Sequence, residues 1–181
     1  MQESSIFSLL HLPPMSLLQE GLLYKHIYSC LSLAGIIVSV YGFCLEVIKE
    51  YDPSYTPLCD VNQQVSCTKA MMSSWGRGFG IVSTLFDEDS VLNQRNPVYG
   101  VAFYTLLLIV PIIKEELIAT VGFVLVCASI FVTVYLMFIL AFRIKTLCLV
   151  CVTIYIINFA LFITVLFYRS VDKRLSAKKR L

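Results

Sequence analysis

The chain holds 181 residues, 58% of them hydrophobic and 14% charged, with a mean hydropathy of +0.81. A balance this apolar excludes an ordinary soluble domain, and the length excludes several domains, so the composition describes a small integral membrane protein. The net charge of +2 is too small for a basic field that would hold nucleic acid, and no such partner is expected.

Residues 1–26 carry no motif. Pro13-Pro14 and His11 interrupt the only apolar run there, which argues against a cleavable signal, and the segment is expected to be disordered rather than laid on the interface. Four stretches then approach the roughly 20 apolar residues needed to cross about 30 Å of hydrocarbon: Ile27 to Val47, Val98 to Ile113, Leu117 to Phe142, and Cys148 to Phe167. The first contains Ser29, Ser32, Gly35, Ser39 and Gly42, small residues that let helices approach closely. The second is short; Pro97 suits its first turn, with Asn96 in front of it as the N-cap. The expected fold is an all-α membrane protein, a four-transmembrane-helix bundle over 27–167 with a loop or cap at 48–97 between spans 1 and 2, on the side opposite the termini. A cytoplasmic segment (1–26) and a basic cytoplasmic tail (168–181) flank it.

Charge sets the orientation. With both termini cytoplasmic, eight basic residues fall inside: Lys25, Lys114, Arg169, Lys173, Arg174, Lys178, Lys179 and Arg180. Six fall outside (Lys49, Lys69, Arg77, Arg95, Arg143 and Lys145), a modest positive-inside bias. The terminal Lys178-Lys179-Arg180-Leu181 resembles a dilysine retrieval signal for the endoplasmic reticulum, although contact with acidic lipid accounts for the same charges.

The loop 48–97 is longer than a connector requires. It holds Cys59 and Cys67, then Trp75-Gly76-Arg77-Gly78-Phe79-Gly80, then an apolar run from Ile81 to Phe86. Glycines that bend freely and aromatics that favour an interface suit either a cap over a cavity or a re-entrant anchor, and the two are compatible. The pattern is not GxGxxG and follows no strand, which argues against a nucleotide-binding loop.

Seven cysteines divide into two groups. Cys30, Cys44 and Cys127 lie within spans, where packing inside the bundle is the expected role. Cys148-Leu149-Val150-Cys151 opens the last span with a redox spacing, and the loops after spans 1 and 3 share one side of the membrane, so Cys59 and Cys67 can meet it. Two static disulfides are one rival, although a bridge across Cys148 and Cys151 closes too small a loop to stabilise much. A four-cysteine zinc site is another, which the wide separation of Cys59 from Cys67 disfavours. His11 and His26 are the only histidines, so haem and histidine-based catalysis find no support and thiols remain as electron carriers. Two thiols supply two electrons, which suits a quinone, and Tyr155 lies one helical turn beyond Cys151 on the same face.

The series Leu58-Cys59-Asp60, Ser66-Cys67, Ser74 to Gly80, Val91 to Gln94, Phe103-Tyr104 and Cys148 to Cys151 through Tyr155 resembles the vitamin K epoxide reductase family in order and spacing. The stretches Asp60 to Cys67 and Arg95 to Val101, with the long N-terminus, are more similar to the reductase-like paralogous branch. Pro97-Val98-Tyr99 departs from the usual family pattern. The resemblance implies a bundle in the endoplasmic reticulum membrane around a quinone pocket capped from the lumen, reducing vitamin K 2,3-epoxide to the quinone and the quinone to hydroquinone. It implies Cys148–Cys151 as the active-site disulfide, with Cys151 meeting substrate and Cys148 resolving. Cys59–Cys67 becomes a second redox disulfide, fed by a luminal thioredoxin-like oxidoreductase and passing electrons through a transient Cys67–Cys148 bond. Asn96 and Tyr155 are implied as donors to the substrate oxygen, and Met71, Trp75, Phe79, Tyr99, Phe103 and Leu136 as its walls, with coumarin inhibitors competing there. No metal and no bound cofactor are expected beyond the dithiols. A quinone-dependent oxidase running the same wiring in reverse, and a non-enzymatic scaffold stapled by disulfides, stand as alternatives.

Overall fold

A computed structural model of the protein describes residues 17–86, 90–113 and 118–179. Helices α1 (Leu17–Tyr51), α2 (Cys67–Met71), α3 (Val82–Leu85), α4 (Asn96–Ile113), α5 (Phe123–Phe138) and α6 (Leu149–Lys179) follow one another, and among the described residues the only β pairing is isolated bridges. Wide π-helical turns, Ile118–Gly122 and Ile139–Ile144, extend α5 at both ends.

Three of these segments are long and apolar enough to cross a membrane: Leu17–Tyr51, Ile118–Ile144 and Leu149–Leu175. The fourth, α4, is apolar but has 18 residues. Two helices outrun their expected bounds. α1 already runs at Leu17 rather than starting at Ile27, so helix replaces the disorder expected over 17–26, a stretch that opens with the good helix formers Leu17, Leu18, Gln19 and Glu20. α6 runs through the tail to Lys179, because residues 168–179 contain neither Gly nor Pro to end it. The segment 1–16, the turn at Lys114-Glu115-Glu116 and the terminal Arg180-Leu181 lie outside the described residues.

The bundle is organised around one face of α1. Ser32, Gly35, Ser39 and Gly42 are all buried there, and the helix packs most extensively on α4 and α6. A Cβ on Gly35 would stand 2.5 Å from the Tyr104 ring, so α4 approaches α1 only because that side chain is missing. Around this seam Tyr28, Tyr104, Leu107, Val126, Leu161 and Val165 form the main buried cluster. The opposite surfaces expose Leu33, Ile37, Val124, Phe131, Ile156 and Ile163, an apolar exterior that suits lipid rather than water. Cys30 and Cys44 are exposed on α1 instead of packed inside, since they fall away from the stripe of small residues; Cys127 is half-buried.

Lys145 adopts a left-handed conformation (φ 55°) that ends the turn Ile139–Ile144 and redirects the chain into α6. The following residues pair with the cysteine loop: Leu147 N–H donates to Gln64 O (2.7 Å), and Ser66 N–H to Leu147 O (3.0 Å). Thr146 Oγ1 also donates to Gln64 O at 3.1 Å. The segments carrying Cys67 and Cys148 are thereby laced together.

Candidate active site

The cysteine loop is built around Asp60. Its Oδ1 accepts from the Ser66 hydroxyl and from Thr68 N–H, both at 3.0 Å, while Ser66 caps α2 by accepting from Lys69 N–H. Burial raises the Asp60 pKa, but hydrogen bonding from Thr68, Ser66 and the Cys67 backbone outweighs it, and the carboxyl lies below its ordinary value. This scaffold holds Cys59 and Cys67 in a disulfide, with Cα atoms 5.8 Å apart. Cys59, Asp60 and Cys67 offer three donor atoms within 4.8 Å, yet both sulfurs are spent on each other and Asp60 on its hydrogen bonds, so the group fits a stapled loop better than a metal.

Cys148 and Cys151 are free thiols. Cys148 stands immediately before α6 and is fully buried; its Sγ accepts the Cys151 backbone N–H at 3.2 Å, as an N-cap side chain does. Cys148 shares one buried cluster with Cys59, Cys67, Met71, Leu140 and Tyr155, and Cys151 packs against it. The two cysteine pairs therefore come together across the loop.

Cys151 also borders a cavity of about 400 Å³ lined by α1, α4, α5, α6 and the glycine-rich turns. Asn96, Tyr155, Trp75, Phe79, Met71, Tyr99, Phe103 and Leu136 all line it, so the structure brings every expected binding residue to one wall system with Cys151. Cys148, Cys59 and Cys67 lie behind that wall rather than in it. The volume suits a fused-ring ligand, and the walls are mostly apolar with a few polar groups, as small-molecule sites usually are.

Two short 3₁₀ turns, Ser74–Gly76 and Gly78–Gly80, form the lid of the cavity. Gly78, Phe79 and Gly80 all have positive φ (51°, 58° and 70°), and a Cβ on Gly80 would lie 2.2 Å from the Trp75 ring. Phe79 bears this conformation at a cost of about 1–2 kcal/mol for an L residue, so its surroundings must hold it. They do so from three sides. Its N–H donates to Asn96 Oδ1 (2.9 Å), its carbonyl accepts from Tyr135 OH (3.2 Å), and its ring packs at 5.0 Å on Tyr99. Asn96 Nδ2 also donates to Trp75 O at 2.7 Å. The Asn96 side chain thus clamps the lid instead of capping α4, while one Nδ2 hydrogen remains for another acceptor.

Sequence reasoning missed two polar features. Glu46 lines the cavity, is only 4% exposed, and faces Arg95, whose Nε is 3.8 Å from its Oε2. Glu50, one turn on, pairs with Arg95 and with Arg77 (2.7 Å), tying the lid to α1. Glu46 was visible as the only charged residue between Ile27 and Val47, where an ionisable group inside an apolar span signals function by default. At the far end of the cavity Tyr104 OH donates to Asn158 Oδ1 (2.7 Å) and Asn158 Nδ2 to Thr133 Oγ1 (2.8 Å), joining α4, α5 and α6.

Residues 26–166 match the family described as vitamin K epoxide reductase. The chain is similar to the vitamin K epoxide reductase complex subunit 1 of Mus musculus, 38% identical over 131 residues that span 72% of this chain and 81% of the relative. It is likewise similar to the Rattus norvegicus protein of the same name, 35% identical over 128 residues, 71% of this chain and 80% of the relative. On a family match across most of its length, with relatives at this identity, the chain belongs to the vitamin K epoxide reductase family and is an oxidoreductase of a helical membrane type.

Proposed function

We propose that the protein reduces vitamin K 2,3-epoxide to the quinone and the quinone to hydroquinone at the expense of thiols. The observation that carries this reading is the position of Cys151, which opens onto a capped apolar cavity while its partner Cys148 is buried against the Cys59–Cys67 disulfide. The inner dithiol gives up two electrons and two protons: one S–S bond forms, and either two O–H bonds form on the quinone or the epoxide oxygen leaves as water. Cys151 meets the substrate and Cys148 resolves. Asn96, through its remaining N–H, and Tyr155, one turn beyond Cys151, donate hydrogen bonds to the oxygen that gains charge. Met71, Trp75, Phe79, Tyr99, Phe103 and Leu136 hold the ring. Coumarins, planar and of similar size, compete for the same walls.

Electrons return by exchange. Reduced Cys67 attacks Cys148 of the inner disulfide and releases Cys151; Cys59 then attacks Cys67, freeing Cys148 and restoring the Cys59–Cys67 bond. A thioredoxin-like oxidoreductase of the lumen reduces that bond. The relay requires α4 as a fourth span, both termini in the cytoplasm and the cap in the lumen of the endoplasmic reticulum. Cys59→Ala removes the thiol that resolves the exchange, so quinone treatment of the reduced variant is expected to accumulate a Cys67–Cys148 disulfide detectable by peptide mass spectrometry. A variant that accumulates none, while still turning over with its own luminal partner, refutes the relay.

A further inference from the structure

Glu46 is a cavity residue with no assigned task. Its carboxyl is held almost wholly out of solvent, and among the described residues its Oε1 has no hydrogen-bond partner, although it stands in the wall that Cys151, Asn96 and Tyr155 share. A buried carboxyl oxygen without a partner is costly, so it is retained where an occupant completes it. The other oxygen points toward Arg95 Nε at 3.8 Å, too long for a hydrogen bond. Arg95 gives its Nη2 to Glu50, which also holds Arg77, while its buried Nη1 has no partner among the described residues. The arrangement leaves Glu46 in the cavity wall, beside Arg95 but without a direct hydrogen bond to it.

From this placement, we propose that Glu46 is the proton-transfer residue of the cavity, donating to the substrate oxygen as the dithiol delivers its electrons. The inference rests on the reductase reading above. For a quinone, the pair Cys148–Cys151 forms its S–S bond and supplies two electrons; Glu46 passes its proton to one carbonyl oxygen and recovers one from the thiol that ionises. The balance is two S–H bonds broken, two O–H bonds formed, and Glu46 unchanged after the cycle. The groups facing it are Arg95 from the segment before α4, Arg77 from the lid, Glu50 on its own helix, and Cys151 and Tyr155 from α6. None of the others combines an exchangeable proton with an unpaired buried oxygen.

The test uses full-length protein, reduced, freed of reductant and mixed with a short-chain naphthoquinone in a single turnover between pH 5.5 and 9, so that the reductant's own titration does not enter. Thiolate formation gives a limb that rises with pH, and a protonated donor gives one that falls. Glu46→Gln preserves size but cannot release a proton; it is expected to slow the turnover at least tenfold and to abolish the falling limb. Glu46→Asp is expected to restore that limb at reduced rate, which a merely structural role would not do. An unchanged profile and a rate within twofold for Glu46→Gln overturn the inference alone, whereas a wild-type protein that reduces no quinone or epoxide overturns the reductase reading with it. Should Glu46→Gln not fold, difference infrared spectra of wild type and Glu46→Asp decide: a carboxylic acid band that changes on quinone addition and shifts in the variant supports the proposal, and its absence refutes it.

Discussion

Asn96→Ala removes two of the bonds that hold the lid, to Phe79 N–H and Trp75 O, and leaves those from Tyr135 and Glu50 in place. At about 1 kcal/mol net for each hydrogen bond the loss is about 2 kcal/mol, and the left-handed Phe79 relaxes once released, so this is a lower figure for opening. Since 1.4 kcal/mol is a factor of ten, the lid opening equilibrium rises about 30-fold. Hydrogen exchange followed by mass spectrometry reads this directly, with peptides covering 74–81 exchanging about 30-fold faster and peptides covering 157–165 in the core of α6 unchanged. Unchanged exchange in the lid refutes the clamp; equal acceleration in both regions shows a general loosening and refutes its local nature.

Further consequences follow from neighbouring sites. Gly80→Ala places a methyl where the Trp75 ring stands and a side chain at φ 70°, which together cost about 2–4 kcal/mol and should raise KM for the ring substrate more than they lower the melting temperature of the bundle. Asn158→Ala strands Tyr104 OH and Thr133 Oγ1 and should lower stability by about 1 kcal/mol, measured by thermal unfolding in detergent. Because the folded pKa of Asp60 lies below its ordinary value, its contribution is complete above about pH 4 and is lost as pH falls through the folded value. Wild type should therefore lose loop stability on acidification more steeply than Asp60→Asn, read as alkylation of Cys59 and Cys67 after brief exposure to a weak reductant between pH 2 and 5; identical acid limbs refute the assignment.

The apolar runs made the four long helices legible, three of them long and apolar enough to cross a membrane, because such a length leaves a hydropathy signal along the whole segment. Their ends were less so: α6 continues to Lys179 through charged residues that are good helix formers, and nothing in the hydropathy marks that continuation. The stripe from Ser32 to Gly42 was readable as a packing face, and that same face explains why Cys30 and Cys44 look outward. The wall residues were legible only through resemblance, since Met71 and Leu136 have no pattern that separates a cavity lining from ordinary core. Asn96 is instructive. Its place before Pro97 reads as a local cap, but its partners lie 17 and 21 residues away, and no local periodicity reports a contact of that range. Glu46, by contrast, was legible as a lone charge within a span, although the reading of the apolar runs did not single it out.

The most direct test of the central claim is reduction of vitamin K epoxide by the purified protein with dithiothreitol, comparing wild type, Cys151→Ala and Cys59→Ala. A substrate-facing Cys151 predicts that Cys151→Ala abolishes turnover while Cys59→Ala keeps part of it, the small reductant reaching the inner pair directly. Full activity in Cys151→Ala would contradict the account and leave the cysteines as staples of a membrane scaffold.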